Sequence, residues 1–375
     1  MKLGIVTETR DGEQRVAASA DTVKRYAGLG LEVLVQRGAG VASGVGDDAF
    51  EKAGATLVDD AAAAFGADIL LKVQRPTDDE MGMLRKDQVL IGALDPYPHR
   101  EQVQAYAEKG VSAFSMELLP RTTRAQAMDI LSSQANLAGY KAVIDAMAAY
   151  NRVLPMMMTA AGTVTPAKIF IVGAGVAGLQ AIATARRMGA VVTATDVRPA
   201  SKEEIESLGA KFVGFIPDDA ATKGGYARAL TAEEQKKQAE MVAEHIKSQD
   251  IVVTTAQIPG RQAPRIVSGD MVASMKRGSV ILDLAAETGG NVEGSRAGET
   301  VTTDGGVVIV GARNMPSKLA PASSVLFARN LNNFVALLVS KGESGPELTI
   351  DTDDDLVAGA LLTQGGAVVH PNLKS

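Results

Sequence analysis

Residues Lys168 to Arg198, KIFIVGAGVAGLQAIATARRMGAVVTATDVR, decide the fold of this chain. An apolar run with the length of a strand, Ile169 to Val172, leads directly into three glycines, and a helical pattern follows from Val176 to Met188. A second apolar run, Val191 to Thr195, ends at Asp196. This order of strand, glycine turn, helix, strand and acidic residue is typical of a domain that binds a dinucleotide.

The three glycines of the turn meet different physical demands. Gly173 permits a tight turn out of the strand, Gly175 removes a Cβ that would keep a pyrophosphate from the backbone, and Gly178 lets helix and strand pack closely. The phosphates then meet the helix N-terminus, where unpaired N–H groups and the helix dipole favour anionic oxygen. We therefore predict nucleotide binding here; the alternative is a tight turn in an ordinary α/β domain.

The acidic residue indicates which nucleotide binds. Asp196 stands 23 residues after Gly173, near the spacing expected for a carboxylate that accepts both hydroxyls of the adenosine ribose. Such a carboxylate selects NAD, because it repels a 2′-phosphate. Arg198 leaves two alternatives open: it accepts a 2′-phosphate, or it is a solvated arginine, which the nearby Asp196 favours.

Composition predicts two domains of the α/β class. The 375 residues exceed the size at which one hydrophobic core stops growing, and the hydrophobic content of 46% can supply two cores. Aromatic residues make up only 4% of the chain, whereas there are 38 glycines, which suits a parallel sheet with short turns. The formal charge of −6, with both signs interspersed, argues against nucleic acid as a partner.

Cysteine is absent, which excludes disulfides, thiolate metal sites and cysteine nucleophiles, and we expect no metal site. The N-terminal MKLGIVTETR has too short an apolar run for a secretion signal. No stretch approaches the roughly 18 uninterrupted apolar residues of a membrane span. We expect a soluble chain, and the lack of cysteine is compatible with the cytoplasm.

Strand and helix patterns alternate through the N-terminal third, which predicts a parallel sheet with crossovers. A mostly helical pattern from Ala125 to Tyr150 bridges two domains, and the segment after Pro316 returns to the first. The predicted fold is therefore α/β: two Rossmann-like domains with parallel sheets, the first discontinuous, joined by a long helix. The predicted bounds are 1–131 plus 318–375 for the N-terminal domain and 132–317 for the NAD-binding domain.

Several segments together carry a family resemblance that spans nearly the whole chain. The sequence resembles the soluble NAD(H)-binding component, domain I, of proton-translocating nicotinamide nucleotide transhydrogenase, a family that is also similar to alanine dehydrogenase. The segments that carry it are PRTTRAQAMDILSSQANLAGYKAVIDA at Pro120, PMMMTAAGTVTPAK at Pro155, GAGVAGLQAIATARRMGAVVTATDVR at Gly173, KGGYA at Lys223, TTAQIPGRQAPRI at Thr254 and GSVILDLAAETGGN at Gly278.

The resemblance implies a set of residues beside the nicotinamide. Arg121, Gln126 and Asp129 match a loop that the family places at this end of the nucleotide, with Ser132 following. A guanidinium can hold pyrophosphate or carboxamide oxygen, while a carboxylate and an amide orient the carboxamide and the riboses. Without the resemblance, polar residues at the start of a long helix are more often caps or exposed faces.

Further nucleotide contacts are implied by the same resemblance. The segment from Lys223 to Ala227 matches a lid, with Gly225 and Tyr226 over the nucleotide, although a charged Gly-Gly loop is commonly just mobile surface. The strand end at Thr255, Ala256 and Gln257 falls on the carboxyl edge of the sheet, where Rossmann ligands bind. The remaining implied contacts are Val176 and Val197.

Hydride transfer between two nicotinamides moves no proton to or from a substrate heteroatom, so the site needs placement and dryness more than a general base. The main alternative is an alanine dehydrogenase, which needs a proton acceptor. Its substrate arginine and lysine match Arg15 and Lys72, but LIGALDPYPHR places Leu94 and Asp95 near the position of its histidine. The family also has an acidic residue near its nicotinamide. In this sequence its position is shifted, because LDLAAETGG offers Glu287 rather than an aspartate. We interpret Arg15 and Lys72 as a salt-bridged remnant.

A second alternative is a non-catalytic NAD-binding module that reports redox state, since one fold hosts both uses. The preferred interpretation implies NAD(H) on this chain and NADP(H) on a partner subunit. It further implies a homodimer that works with an NADP-binding subunit and a membrane-spanning subunit that translocates protons. Such a chain is cytoplasmic and peripheral to the inner face of the membrane through its partners.

Overall fold

The computed structural model describes residues 1–215, 231–258 and 260–374, and these divide into two compact units. The first unit comprises Met1–Gln134 and Pro316–Ser375, and the second comprises Ala135–Met315. The domain bounds predicted from the sequence, 1–131 plus 318–375 and 132–317, stay a prediction. No helix in the described ranges combines the length and apolarity needed to cross a membrane.

The secondary structure alternates between strands and helices along most of the chain. The strands are β1 Lys2–Ile5, β2 Glu32–Gln36, β3 Thr56–Val58, β4 Ile69–Gln74, β5 Val89–Ala93, β6 Ser112–Ser115, β7 Met157–Thr159, β8 Gly162–Val164, β9 Lys168–Val172, β10 Val191–Thr195, β11 Lys211–Phe212, β12 Ile251–Thr254, β13 Val280–Asp283, β14 Thr300–Thr302, β15 Val308–Gly311, β16 Val339–Gly342, β17 Gly345–Leu348, β18 Leu361–Gln364 and β19 Ala367–Val368. The helices are α1 Ala20–Gly28, α2 Asp47–Lys52, α3 Ala61–Phe65, α4 Asp78–Met83, α5 Arg100–Glu108, α6 Ile130–Ala149, α7 Val176–Arg187, α8 Ser201–Ser207, α9 Ala232–Ile246, α10 Gly269–Ala273, α11 Ala320–Leu338 and α12 Asp355–Ala360.

The first unit is built on an eight-stranded sheet with the order β19-β18-β6-β5-β4-β1-β2-β3. The six strands from β6 to β3 are parallel, and the tail adds β18 and β19 antiparallel at one edge. Successive residues of β4 point to opposite faces, so Leu71 joins the core under α11 while Leu70 joins the core under α5. Because helices cover both faces, the central strands are largely apolar, and buried Lys72 of β4 is an exception.

The second unit holds a seven-stranded sheet with the order β11-β10-β9-β12-β13-β15-β14, parallel except for β14. The chain proceeds from β9 to β10 and β11 on one side and then crosses to β12 on the other. This reversal places the carboxyl end of β9, with the glycine turn, at a topological switch point. The residues of β12 are all buried, as expected for a central parallel strand.

The predicted α/β class with two parallel-sheet units is confirmed, including the discontinuous first unit and the long helix that links the chain of one unit to the next. That helix, α6, begins at Ile130 rather than at Ala125, because Thr123–Met128 forms a 3-10 turn that ends at Asp129. The sequence analysis missed the hairpin of β7 and β8, whose strand residues are all exposed.

Candidate functional site

The glycine turn of the second unit has the geometry that its sequence predicts. Gly173 adopts φ +100°, in the region that favours glycine, and its N–H donates to the Thr195 carbonyl at 2.8 Å. A Cβ on Gly178 would lie 1.8 Å from the Gly173 carbonyl oxygen. Gly178 is therefore required for the contact between α7 and the end of β9.

Gly175 differs from the other two glycines, because a Cβ on it would meet no atom of residues 1–215, 231–258 and 260–374 within 4 Å. Gly175 is the N-cap of α7, and no side chain caps this helix. The first N–H groups of α7 therefore face open space with the positive end of the helix dipole behind them. Val176 and Val197 are also exposed, at 41% and 62%, which is unusual for valine and suits apolar contact with a ligand.

Asp196 is the carboxylate at the end of β10, and its side chain is only 9% exposed. Oδ2 accepts the Ala174 N–H at 2.7 Å, and Oδ1 accepts the Arg198 N–H at 2.8 Å. Burial alone would raise its pKa, but hydrogen bonds from Arg198 and from these two backbone groups outweigh burial and hold the pKa below its usual value. Asp196 is therefore an anion that is already bonded to the glycine turn.

Arg198 pairs with Asp196, and the two alternatives that the sequence left open for it stay predictions. Its Nε lies 3.0 Å from Asp196 Oδ1, and its Nη2 donates to the Ala174 carbonyl at 3.1 Å, although the side chain is 55% exposed. The guanidinium thus folds back over the turn and partly neutralises the carboxylate. This pairing forms because Asp196, two residues earlier, offers a charged acceptor at short range.

The strand end at Thr255 to Gln257 lies beside the same turn. The Thr255 hydroxyl donates to the Gly173 carbonyl at 3.1 Å, and Gln257 is exposed with Nε2 donating to the Leu284 carbonyl. Buried Asn291 accepts the Ala256 N–H at 3.0 Å and donates to the Ala256 carbonyl at 2.8 Å. The sequence analysis missed Asn291, since a single asparagine after a Gly-Gly pair carries no recognisable signal.

The three predicted nicotinamide residues and Ser132 lie in the first unit, where they have different surroundings. Arg121 and Gln126 are exposed, and their side chains form no hydrogen bond or ion pair with the described residues. Asp129 instead caps α6, because Oδ1 accepts the Ser132 N–H at 3.0 Å and Oδ2 accepts the Ser132 hydroxyl. Two side chains are thus available to a ligand, and the third is a helix cap. The lid residues Gly225 and Tyr226 lie outside the described residues.

Arg15 and Lys72 are buried and paired with carboxylates. Arg15 binds Glu13 through Nε at 2.8 Å and Nη2 at 2.7 Å, and its Nη1 donates to Gln134. Lys72 Nζ lies 3.2 Å from Glu8 and 3.0 Å from Glu80, and its side chain is 1% exposed. These pairs match the interpretation of both residues as salt-bridged.

The acids around Lys72 influence one another. Burial, foremost, raises the pKa of Glu8, and the charges of Glu13 and Glu80 raise it further, against the opposing charge of Lys72. In the second unit, Glu287 accepts the Asn314 N–H at 2.8 Å, so this shifted acid braces the backbone at a residue with φ +40°.

A glycine turn at a switch point, an uncapped helix N-terminus and an acid at the end of the next strand define a nucleotide-binding protein of the Rossmann class. Family models named alanine dehydrogenase/PNT match the chain twice, the N-terminal domain over residues 4–138 and the C-terminal domain over residues 142–371. The chain therefore belongs to the alanine dehydrogenase/PNT family of oxidoreductases. The resemblance stated from the sequence is confirmed.

Individual relatives differ in how closely they match. An alpha-subunit polypeptide of the NAD(P) transhydrogenase of Rhodospirillum rubrum is 49% identical and is aligned over 100% of this chain and 99% of its own. A crystal structure of transhydrogenase from Sinorhizobium meliloti has a TM-score of 0.90 at 52% identity, covering 98% of this chain and 100% of that one. Alanine dehydrogenase of Mycobacterium tuberculosis is 34% identical over 79% of this chain and 75% of its own.

Proposed function

We propose that this chain is the NAD(H)-binding subunit of a proton-translocating transhydrogenase. NADH bound here passes hydride directly to NADP⁺ on a partner subunit, giving NAD⁺ and NADPH with no proton exchanged at a substrate heteroatom. A separate membrane subunit couples the transfer to proton translocation and holds this chain at the inner face of the membrane. The full-length match to a transhydrogenase subunit supports this proposal over the partial match to an alanine dehydrogenase.

The observation that carries the proposal is that Arg15 and Lys72 are already paired with carboxylates of this chain. An amino-acid dehydrogenase must bind a substrate carboxylate, for which a free guanidinium or ammonium is needed. Here Glu13 occupies two donors of Arg15, and Lys72 is buried between Glu8 and Glu80. Displacing these internal carboxylates would leave buried charges unpaired, at a cost of about 3 to 5 kcal/mol. A small carboxylate ligand therefore has no cation to bind at these positions.

We assign nucleotide roles to the residues of the second unit. The N-terminus of α7 holds the pyrophosphate, because its N–H groups lack a side-chain cap and Gly175 leaves room for close approach. Asp196 accepts the ribose hydroxyls, Val176 and Val197 contact the adenosine, and Thr255 to Gln257 line the path of the nucleotide. The assignment of Gly225 and Tyr226 to a lid concerns residues outside the described ranges and stays a prediction. Asp196 is held as an anion by its backbone donors, as this role requires.

In the first unit, we assign the nicotinamide end to Arg121, Gln126 and Asp129, with Ser132. Arg121 and Gln126 are exposed, and their side chains form no bond within the described ranges, so binding a ligand would cost them no contact seen there. Asp129 already binds Ser132 and caps α6. Its role in the chemistry is therefore to fix the loop that carries Gln126, while the two free side chains touch the ligand.

We also propose a homodimer, in which the β7–β8 hairpin contributes to the interface. Met156, Met157, Met158 and Val164 are exposed by 60%, 46%, 77% and 48%. An exposed two-stranded hairpin is marginally stable by itself. Methionine side chains adapt to a partner surface, which supports a subunit contact at this hairpin.

The test mixes the purified chain with an NADP(H)-binding transhydrogenase subunit and follows hydride passage from NADH to an NADP⁺ analogue. Transfer that depends on both proteins supports the proposal. Oxidation of L-alanine with NAD⁺ by the chain alone would instead establish an alanine dehydrogenase. NADH binding with neither activity would leave the redox-reporting module as the better explanation and would contradict the proposal.

A further inference from the structure

The first unit contains a cavity of about 610 Å³ between α4, α5 and the loop that follows β5. Basic and polar side chains line much of it: Arg75, Tyr97, His99, Arg100, Gln102 and Lys109. This volume is in the range of small-molecule sites. None of the residues assigned to the nucleotide lines this cavity.

Two arginines meet at this cavity with no direct ion pair to a described carboxylate, while the charges of Asp95 and Asp78 act on Arg75 from a distance. Arg10 lies beside it, with Nε donating to the Arg75 carbonyl and Nη2 to the Pro76 carbonyl, both at 2.8 Å. Arg75 donates from Nη1 to the Gln102 amide oxygen at 2.8 Å. Among the residues that the structure describes, no carboxylate forms an ion pair with Arg10 or Arg75. Both guanidiniums are therefore held in place by neutral acceptors.

The positive charges of Arg10 and Arg75 repel each other, and a bound anion would reduce this repulsion. Burial, and then the neighbouring charge of Arg10, lower the pKa of Arg75, and the same two arginines contribute to the lowered pKa of His99 after burial. Asp78 and Glu101 border the cavity but are exposed to solvent. A fixed pair of cations without a carboxylate partner is a feature of sites that recognise phosphate or carboxylate oxygens.

The position in the fold agrees with this interpretation. Arg10 follows β1 and Arg75 follows β4, the two neighbouring parallel strands between which the chain reverses direction across the sheet. The carboxyl ends of strands at such a reversal are where ligands bind in α/β sheets. This is the counterpart, in the first sheet, of the position that the glycine turn has in the second.

The loop that forms another wall of the cavity is held in a strained conformation. Asp95 has φ +44°, and the Glu117 carboxylate accepts the N–H groups of Leu94 and Asp95 at 3.1 and 2.8 Å. Asp95 in turn lies 3.6 Å from His99 Nε2. Strain that is maintained by specific bonds is concentrated at functional sites.

We propose that this cavity binds a small anionic metabolite through its phosphate or carboxylate oxygens. Arg75 supplies a fork of parallel donors, Gln102 orients that fork, and Arg10 adds a second positive charge. The uncapped N-terminus of α5, where His99 is the N-cap without a side-chain bond, adds a favourable dipole at the same wall. The site is separate from the nucleotide and does not rest on the transhydrogenase proposal.

Calorimetric titration of the full chain at fixed ionic strength tests the site, with inorganic phosphate and succinate as separate probes. We expect saturable binding of at least one probe, weakened tenfold or more in Arg75→Met and less in Arg75→Lys, which keeps the charge but loses the fork. Arg25→Met makes the same charge change on the exposed face of α1 and should bind like the wild type.

The two probes separate the sources of the anion, since preference for phosphate indicates a phosphorylated metabolite and preference for succinate a carboxylic acid. Thermal unfolding of each variant shows whether the first unit remains folded. No saturable binding of either probe to the wild type, or equal binding by folded Arg75→Met, would overturn the proposal. NADH affinity should be unchanged in Arg75→Met, so failure here is distinguishable from failure of the proposed function.

Discussion

At the residue scale, the proposed role of Asp196 gives its one carboxylate two competing partners, the ribose of NADH and Arg198. Replacing it with asparagine keeps an acceptor for the Ala174 N–H but removes the charge. We expect NADH affinity to fall by about 10- to 100-fold, because hydrogen bonds to a charged group contribute about 1.5 to 3 kcal/mol. Calorimetry with NADH and NADPH measures this, and the preference for NADH over NADPH should narrow.

A matched control for this substitution is Asp270→Asn, in the first turn of α10 and away from the glycine turn. It should bind NADH with wild-type affinity. If Asp196→Asn binds NADH as tightly as the wild type, the assignment of Asp196 to the ribose is wrong, and its role is confined to holding the turn.

Gln126 offers a second test at this scale, because its side chain is exposed and has no internal partner among the described residues. Gln126→Ala should therefore unfold at the wild-type temperature and bind NADH nearly normally, while hydride transfer to the NADP⁺ analogue slows. Stopped-flow measurement of transfer, alongside NADH titration, separates the two effects. Equal loss of binding and rate would mean that Gln126 only holds the ligand.

At the scale of elements, an added methyl group should reduce the stability of the fold by different amounts at two glycines of one turn. Gly178→Ala places Cβ 1.8 Å from a backbone oxygen, so we expect about 3 kcal/mol of destabilisation, at the upper end for overpacking. Gly175→Ala meets open space at φ −73° and should cost at most about 1 kcal/mol, through the weaker N-cap.

For NADH affinity we expect the larger effect at Gly175, because its added methyl group points where the pyrophosphate is expected to lie. NADH affinity should fall tenfold or more in Gly175→Ala, although the protein stays folded. Urea unfolding and NADH titration of both variants provide the measurements. Unimpaired binding by Gly175→Ala would place the phosphates away from the N-terminus of α7.

The buried acids beside β4 predict a dependence of stability on pH. Burial raises the pKa of Glu8 above its usual 4.5, so the folded state binds this proton more tightly than the unfolded state does. The contribution of Glu8 to the free energy of unfolding is therefore complete below about pH 4.5 and is lost as the pH rises through the folded-state pKa, by up to about 1.4 kcal/mol per pH unit. Glu8→Gln should lose this dependence.

Urea unfolding of the wild type and Glu8→Gln between pH 4 and pH 8 makes the comparison, and the difference between the two curves isolates Glu8 from the histidines. Glu51→Gln, an exposed carboxylate on α2, should follow the wild type throughout. Parallel curves for the wild type and Glu8→Gln would show that Glu8 has the same proton affinity in both states.

The elements that could be predicted from sequence are those with a strong local pattern. The glycine turn, its two strands and α7 could be predicted because each glycine and apolar position has its own steric reason. The start of α6 could not, since Asp129 caps the helix only when the preceding 3-10 turn has formed. The contact of Arg198 with the Ala174 carbonyl and the partners of Asn291 depend on distances between strand ends, and no single-sequence pattern encodes these.

At the scale of the whole molecule, the proposed homodimer depends on the β7–β8 hairpin. Met158→Lys introduces a charge at its most exposed methionine and should shift the sedimentation of the protein from dimer to monomer. Met188→Lys, at the partly exposed end of α7, is the matched control and should remain dimeric. A wild-type monomer, or a Met158→Lys dimer, would contradict the interface.

The α/β architecture with two parallel sheets could be read from composition and alternation alone, because burial on both faces leaves long apolar strands. The function of each sheet could not be predicted in this way. Arg15 and Lys72 were interpreted from the sequence as salt-bridged, but only the structure identifies their partners as Glu8, Glu13 and Glu80.

The first unit receives β18 and β19 from the far end of the chain, and this has a consequence for biosynthesis. On the ribosome, residues 135–315 emerge and can condense into their own sheet while β6 still exposes a bare edge. The N-terminal part of the first unit therefore keeps an unpaired sheet edge until β18 and β19 have been synthesised. We expect this protein to bind chaperones mainly between the synthesis of β6 and the synthesis of β18 and β19.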